Sequence, residues 1–417
     1  MGAPLFVTED ELREKYSSEL IQLYGVDDAK EKVVLDPMKI ATLEYEQNKI
    51  PIDIDPHEEC SVAVPYRERY KLTNWKVSKS LTAWLLGLTI IVIGLGGLIR
   101  IYDAGESCPD WPLCFGTLGF DISEVEQEEW WAENPEEIDS RGSGHRYSTF
   151  QIFTEWSHRF LAGAVLGPLV LLNWYLLRRN EDPGKDIRFA STLTVILIIW
   201  QGAIGWLTVE MDNLHWSVAL HLSSALAFTI SMFWLWLIIT RAECGVPGWL
   251  EFEHGAASKW GKGVAWLSIG TFISIFSGTF VSTTPGANLG CGVDGIPDSW
   301  PLCGGNLVDS VEDIVLQSQM IHRWLVGVML IAMSSASYLV WKESGEDSDR
   351  ILRNWIWGST GLFFTNASIG AIYVISWDME EGFFELLSLV HLMLASLTFL
   401  AMATTWIGCV IATEESS

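Results

Sequence analysis

Positive charge is scarce in this chain: 26 lysines and arginines stand against 52 aspartates and glutamates, a formal net charge of −26 over 417 residues. That balance excludes nucleic acid or any other polyanion as a general partner. The first 75 residues carry no long apolar run, so no cleavable signal peptide is visible. No glycine-rich phosphate loop is present. No pair of short, glycine- or proline-broken apolar segments is present either, which weakens a transporter reading. Histidines are few, at eight, and cysteines number seven.

What the chain does have is apolar length. Mean hydropathy is +0.24 and there are 22 tryptophans. Eight mostly apolar runs read as transmembrane helices, at roughly 80–101, 151–177, 187–209, 217–240, 263–283, 318–341, 352–376 and 386–411. A soluble α/β enzyme with buried strands is the alternative, and helical run lengths with tryptophans at the run ends argue against it. Lysines and arginines fall in alternate loops: Lys71, Lys76 and Lys79, then Arg178, Arg179, Lys185 and Arg188, then Arg241, Lys259 and Lys262, then Lys342, Arg350 and Arg353. The positive-inside rule therefore places both termini in the cytoplasm of a cell-membrane, multi-pass protein. Cys108, Cys114, Cys291 and Cys303 then fall outside, where disulfides persist, while Cys60, Cys244 and Cys409 fall on the inner side.

The runs form an internal repeat. GGLIRIYDAGESCPDWPLCFG, EWSHRFLAG, GAIGWLTVE and VALHLSSALAF return in the same order as SGTFVSTTPGANLGC…PDSWPLCGG, QMIHRWLVG, ASIGAIYVI and SLVHLMLASLTF. The expected fold is an all-α membrane protein of eight helices in two repeated four-helix bundles, with a short soluble N-terminal extension. The divisions are 1–79 (cytoplasmic extension), 80–240 (first half), 241–262 (cytoplasmic linker) and 263–412 (second half). Four helices per half bring both halves in from the same side, related by an axis along the membrane normal. Within the extension, Thr8 and Glu11 have capping-box spacing and Leu12, Tyr16, Leu20 and Leu23 share a face, which predicts one short amphipathic helix followed by irregular chain. It reads as a loosely packed tail or as a docking element. The acidic stretch DISEVEQEEWWAENPEEIDS, within 121–148, reads as a solvated, poorly ordered cap, with a cation site or partner surface as the other reading.

Four histidines lie inside predicted helices: His158 and His221 in the first half, His322 and His391 in the second. Each pair sits at matching depth on the second and fourth helices. Facing imidazoles across a bundle suit one metal or the two axial positions of a haem iron. No further Cys, Asp or Glu accompanies each pair, as a closed zinc site would need. Helix-packing histidines bonded to backbone are the alternative. Arg159 and Arg323 follow the second-helix histidines, and Arg100 ends the first helix; guanidinium groups there suit haem propionates or lipid phosphate. The two cysteine loops read as disulfide staples over the pockets, with a redox role for Cys108 and Cys114 as a second reading.

The halves differ at one telling place. Glu155 precedes His158 by three residues, and Gln319 stands at the matching position. A carboxylate beside a haem edge can act as acid or base, whereas glutamine cannot. The first half then holds a haem being transformed and the second a haem that transfers electrons. A carboxylate paired with a nearby arginine is the structural alternative.

Taken together, GGLIRIYDAGESCPDWPLC, EWSHR, the later HL and HR motifs and the second WPLC loop resemble the haem A synthase family of bacteria, archaea and mitochondria, over roughly 80–411. The resemblance implies oxidation of a ring methyl of haem O to a formyl group by successive hydroxylations, for terminal oxidase biogenesis. It implies haem O as substrate between His158 and His221, with Arg100 and Arg159 beside it. It also implies haem B as cofactor between His322 and His391, with Arg323 beside it, Glu155 as catalytic carboxylate, and a loop pair of Cys108 with Cys114. The partners expected are haem O, delivered by haem O synthase, membrane lipid, an unidentified electron acceptor for which quinone is a candidate, and a second copy of the chain in a homo-oligomer. The competing reading is a dihaem b-type membrane cytochrome exchanging electrons with quinone. The acidic insertion and the N-terminal extension depart from the family pattern.

Overall fold

A computed structural model describes residues 76–139, 141–179, 183–307, 314–343, 349–377 and 382–414, with backbone alone for short stretches ahead of them. Eight long apolar helices account for the membrane region. They are α1 (Lys76–Ile101), α3 (Thr149–Arg179), α4 (Gly184–Glu210), α5 (His215–Glu243), α6 (His254–Thr283), α7 (Ile314–Lys342), α8 (Arg350–Ile375) and α9 (Leu386–Glu414). A ninth, α2 (Glu124–Glu133), lies in the loop between α1 and α3. The spans run a few residues past the apolar runs because polar caps and loop contacts extend the helical ends.

Packing follows two rings. α1 touches α3, α3 touches α4, α4 touches α5, and α5 returns to α1. α6, α7, α8 and α9 repeat that circuit. The rings meet where α1 touches α9, α5 touches α6 and α5 touches α9. Ile93, Leu226, Ile275 and Phe399 form a shared core there, with the Phe272 and Phe399 rings 5.4 Å apart. α5 is accordingly the most buried span. Side chains on the outer faces are apolar, with Trp84, Ile196, Trp266 and Ile331 well exposed. Hydrocarbon tolerates such a face and water does not.

The start of α3, α5, α7 and α9 and the end of α1, α4, α6 and α8 share one end of the molecule. Both disulfides, Cys108–Cys114 and Cys291–Cys303, lie there, with Cα–Cα distances of 4.5 and 4.3 Å. The two loops close alike: Cys114 N–H donates to Thr117 O and Cys303 N–H to Asn306 O, each at 2.9 Å. Cys409 is a buried free thiol. Cys60 and Cys244 lie outside the residues whose side chains are described.

The acidic loop departs from the solvated, poorly ordered cap expected of it. Ser123 and Glu126 form a capping box at the start of α2. Gln127 exchanges two hydrogen bonds of 2.9 Å with the backbone of Tyr147, tying α2 to the start of α3. Trp131, Phe115, Ile122 and Tyr147 pack with the Cys108–Cys114 disulfide into a small core. The acidic residues lie on the outside of this cap, which is why composition alone hid its interior. Of the N-terminal helix expected near 8–25, Thr8 ends a strand and residues 9–25 fall outside the described residues. The stretch expected to be irregular carries short antiparallel strands instead: Lys32–Leu35 pairs with Val26–Asp27 and with Leu5–Thr8 ahead of it, and Ile52–Asp53 with Val64–Pro65. Adjacent β-branched residues such as Val33 and Val34 favour that conformation.

Candidate functional site

The four membrane histidines meet in two pairs. His158 on α3 faces His221 on α5, and His322 on α7 faces His391 on α9; the ring centres are 6.4 Å apart in both. Each histidine lies five to nine residues from the start of its helix, so both pairs lie near the disulfide-bearing end. Three of the rings pack closely against glycine: a Cβ at Gly278 would sit 2.9 Å from His322 and one at Gly370 2.7 Å from His391, so the ring would have to shift, and one at Gly205 would press on His221 at 3.1 Å. His158 lies over Gly96, where a Cβ would meet the ring in ordinary contact at 3.6 Å. These glycines were unassigned in the sequence, although GAIG and ASIG recur at matching positions.

The separation tests what can lie between the rings. Two imidazoles on opposite sides of one metal, each bonded at about 2 Å, place their ring centres roughly 6 Å apart. Both pairs fit that span. Among the described residues no three His, Cys, Asp or Glu side chains gather as metal ligands. The donor set is thus two imidazoles per site, which suits a haem iron and not a closed zinc site.

The three arginines each reach backbone carbonyls at the disulfide-bearing end. Arg159 Nη1 donates to Asp110 O (2.6 Å) and Leu113 O (3.1 Å), and its Nη2 to Cys108 O (2.6 Å). Arg323 Nη1 donates to Ser299 O (2.8 Å) and Leu302 O (2.6 Å). Each guanidinium thus fastens its disulfide loop to the helix that carries the histidine. Arg100 donates to the carbonyl of Ser282 on α6, bridging the two rings.

Glu155 is 3% exposed and bonded at both oxygens. Oε2 accepts from Ser107 Oγ (3.0 Å) and Cys108 N–H (3.1 Å), and Oε1 from Arg159 Nη2 (2.5 Å). Gln319 instead donates to Ala287 O at 2.8 Å, and Arg323 Nη2 is left buried without a hydrogen-bond partner. The difference between the halves is therefore physical: an ion pair locks the first loop and is missing from the second.

Helix α3 has a further feature. Residues Phe160–Leu166 form a π-turn directly after Arg159, with Gly167 N–H donating to Ala162 O. Pro168 explains it, since it has no N–H to give Ala164 O and its ring would crowd that carbonyl. The matching residue in α7 is Ala332, and α7 is regular throughout. Proline within the apolar run was the available sequence signal.

Beyond the membrane helices, Glu106 is buried beside Arg141, 3.6 Å from its Nη2, and accepts from Asn213 at 3.3 Å. Burial raises its carboxyl above the usual value of 4.5, with Arg141 opposing. Burial and a hydrogen bond to Asp139 raise the Tyr147 phenol and hold it protonated.

Eight apolar helices in two rings, each holding a facing histidine pair of a spacing that fits haem, define a multi-pass membrane protein with two alike sites. The family model described as "Cytochrome oxidase assembly protein" matches residues 79–403, and the chain belongs to that family. It is similar to the protein named "Heme A synthase" of Shewanella oneidensis, 30% identical over 55% of this chain and 63% of the relative. It is also similar to those so named of Erythrobacter litoralis, 28% identical over 61% and 78%, and of Shouchella clausii, 26% identical over 77% and 94%. The match thus spans just under two thirds of the Shewanella protein and nearly all of the Shouchella one.

Proposed function

We propose that this chain is a haem A synthase: a membrane oxidoreductase that converts haem O to haem A for terminal oxidase biogenesis. Two histidine pairs of equal span in a member of this family carry the reading. In it, residues 80–240 bind the substrate haem O between His158 and His221, and residues 263–412 hold haem B between His322 and His391. The residues fit this use, because each pair offers two imidazoles and no other donors. Haem B, when bound, supplies one-electron transfer. Two hydroxylations of one ring methyl, each taking its oxygen from water and releasing two electrons and two protons, lead to a geminal diol that loses water to leave the formyl group.

Glu155 is the carboxylate assigned to the first site. Its partners set what it can do: an oxygen shared with the Ser107 hydroxyl and Cys108 N–H can take or give a proton only as those donors turn away. Arg159 and Arg323 fix the loops, and Arg100 joins the rings near the same end. The lysine and arginine pattern supports cytoplasmic termini and, with them, sites near the outer face. The electrons pass to an acceptor soluble in the membrane, for which quinone has the right chemistry.

Extraction of haems from protein purified from a host that supplies haem O tests the reading. Haem A or its hydroxylated precursor together with haem B is the expected result. Haem B alone, with haem O available, would make the chain an electron-transfer cytochrome.

A further inference from the structure

The two histidine pairs differ in which ring nitrogen is free. His322 Nδ1 lies 3.0 Å from Ser277 Oγ, and Ser274 O, which can only accept, lies 2.9 Å from the same Oγ and takes its one proton. The oxygen therefore accepts, and Nδ1 carries the ring proton. His391 Nδ1 lies 2.9 Å from the carbonyl of Asn366, which can only accept. Both second-ring histidines thus present a bare Nε2, the nitrogen a metal needs.

The first ring is set the other way. His221 Nδ1 lies 3.2 Å from Gln201 Nε2. The amide orientation is fixed by its other bonds: Nε2 donates to His221 O at 2.9 Å and Oε1 accepts from Ser224 Oγ at 2.5 Å. Nδ1 must then accept, and the ring proton of neutral His221 sits on Nε2, where it blocks a metal. His158 has no ring hydrogen bond among the described residues. Gly96 underlies His158 as Gly278 underlies His322, so the residue matching Ser277 is Leu95, which offers no acceptor.

We propose that Ser277 and Asn366 preset the second pair for lasting iron ligation, while Gln201 and Ser224 keep the first pair in a resting form that ligates only when the Gln201 amide turns over. On turning, Oε1 accepts the proton now held at Nδ1, and Nε2 is freed. Ser224 loses one acceptor but has another in reach, since its Oγ lies 3.1 Å from His221 O. Turning also sets Oε1 against His221 O, to which Nε2 donates at 2.9 Å in the resting form, so the turned arrangement is the less satisfied one and ligation at the first pair carries that cost. Such a site can take up one haem and release another, as turnover requires, while the second ring retains its own. Ser277 and Gln201 are positioning residues, and this role rests on the proposal that both pairs bind haem.

The test uses the full chain, purified with the haems it carries. Ser277→Ala is expected to weaken haem retention at the second site about tenfold and to raise the midpoint potential of that low-spin haem, because His322 loses the acceptor that makes it electron-rich. Ser277→Thr keeps a hydroxyl and should restore both. Gln201→Glu offers His221 a permanent acceptor and should slow haem release from the first site about tenfold. Unchanged retention and potential in Ser277→Ala, or failure of threonine to rescue, would overturn the role of Ser277. Wild-type release rates in Gln201→Glu would overturn the switch. His391→Ala separates the two levels: if it loses no haem, the second pair holds none, and it is the functional reading that fails.

Discussion

Glu155 and Arg159 form an ion pair at 2.5 Å, one helical turn apart on α3, and their counterparts Gln319 and Arg323 form none. The pair is buried, with side chains 4% and 13% exposed. It closes a circuit from Glu155 to Cys108 N–H and from Arg159 back to Cys108 O. Loop, disulfide and ligand helix are thereby one unit.

Breaking that unit has a calculable cost. Arg159→Ala leaves a buried carboxylate and three loop carbonyls without their donor, a loss of about 3–5 kcal/mol. Arg159→Lys should recover little, since one ammonium cannot serve the fork of acceptors that a guanidinium spans. Thermal unfolding in detergent measures the loss, and faster thiol reduction of Cys108–Cys114 locates it.

Glu155→Gln separates chemistry from architecture. The amide copies Gln319, can still accept from Cys108 N–H, and carries no exchangeable proton of carboxyl type. Both haems should stay bound while haem A formation falls at least about a hundredfold. Haem loss from the first site at unchanged second-site content would mean that the carboxylate is needed for the loop alone.

Pro168→Ala restores an N–H and lets the π-turn close to regular helix. Removing one residue's worth of winding rotates the two ends of α3 by about 100° relative to each other. His158 should then leave His221, and total bound haem should fall by about half, all of it from the first site. Separate spectra of the two haems, or haem extraction, report this.

The pH response of the loop end follows from Glu106. Its folded carboxyl titrates above the ordinary 4.5 because burial disfavours the charge. The folded state therefore holds its proton where the unfolded chain has lost it. Stability falls as pH rises from about 4.5 through the raised value, and the deficit then stays constant. Glu106→Gln should remove this slope, so the difference in melting temperature between variant and wild type should grow with pH across that window. A difference independent of pH would show that the carboxyl is not perturbed.

Much of this was legible in the residues. Eight apolar runs announced the helices, and repetition of His158 with His221 in His322 with His391 announced two sites, because ionisable groups at one depth in a membrane are costly unless used. The cysteine pairs were readable from their loops. What spacing could not supply was direction. EWSHR places Glu155 and Arg159 on one face, but only the fold shows the guanidinium bonded to the carbonyls of Asp110, Leu113 and Cys108. Acidic composition described the outside of the cap and not the Trp131 and Tyr147 interior. Ser277, Gln201 and Asn366 are ordinary helix residues until a histidine from another helix is laid against them.

The contacts between the rings have a further meaning. α1 against α9 and α6 against α5 are images of one another under the repeat, and α5 against α9 is its own image. That is the pattern of an isologous dimer interface, here made by one chain with itself. A single four-helix half, produced as a separate chain, would expose Ile93 and Leu226, or Ile275 and Phe399, and would cover them by pairing with a copy of itself. Covalent linkage is what allows the two copies to differ, with Glu155 kept on one side and Gln319 on the other.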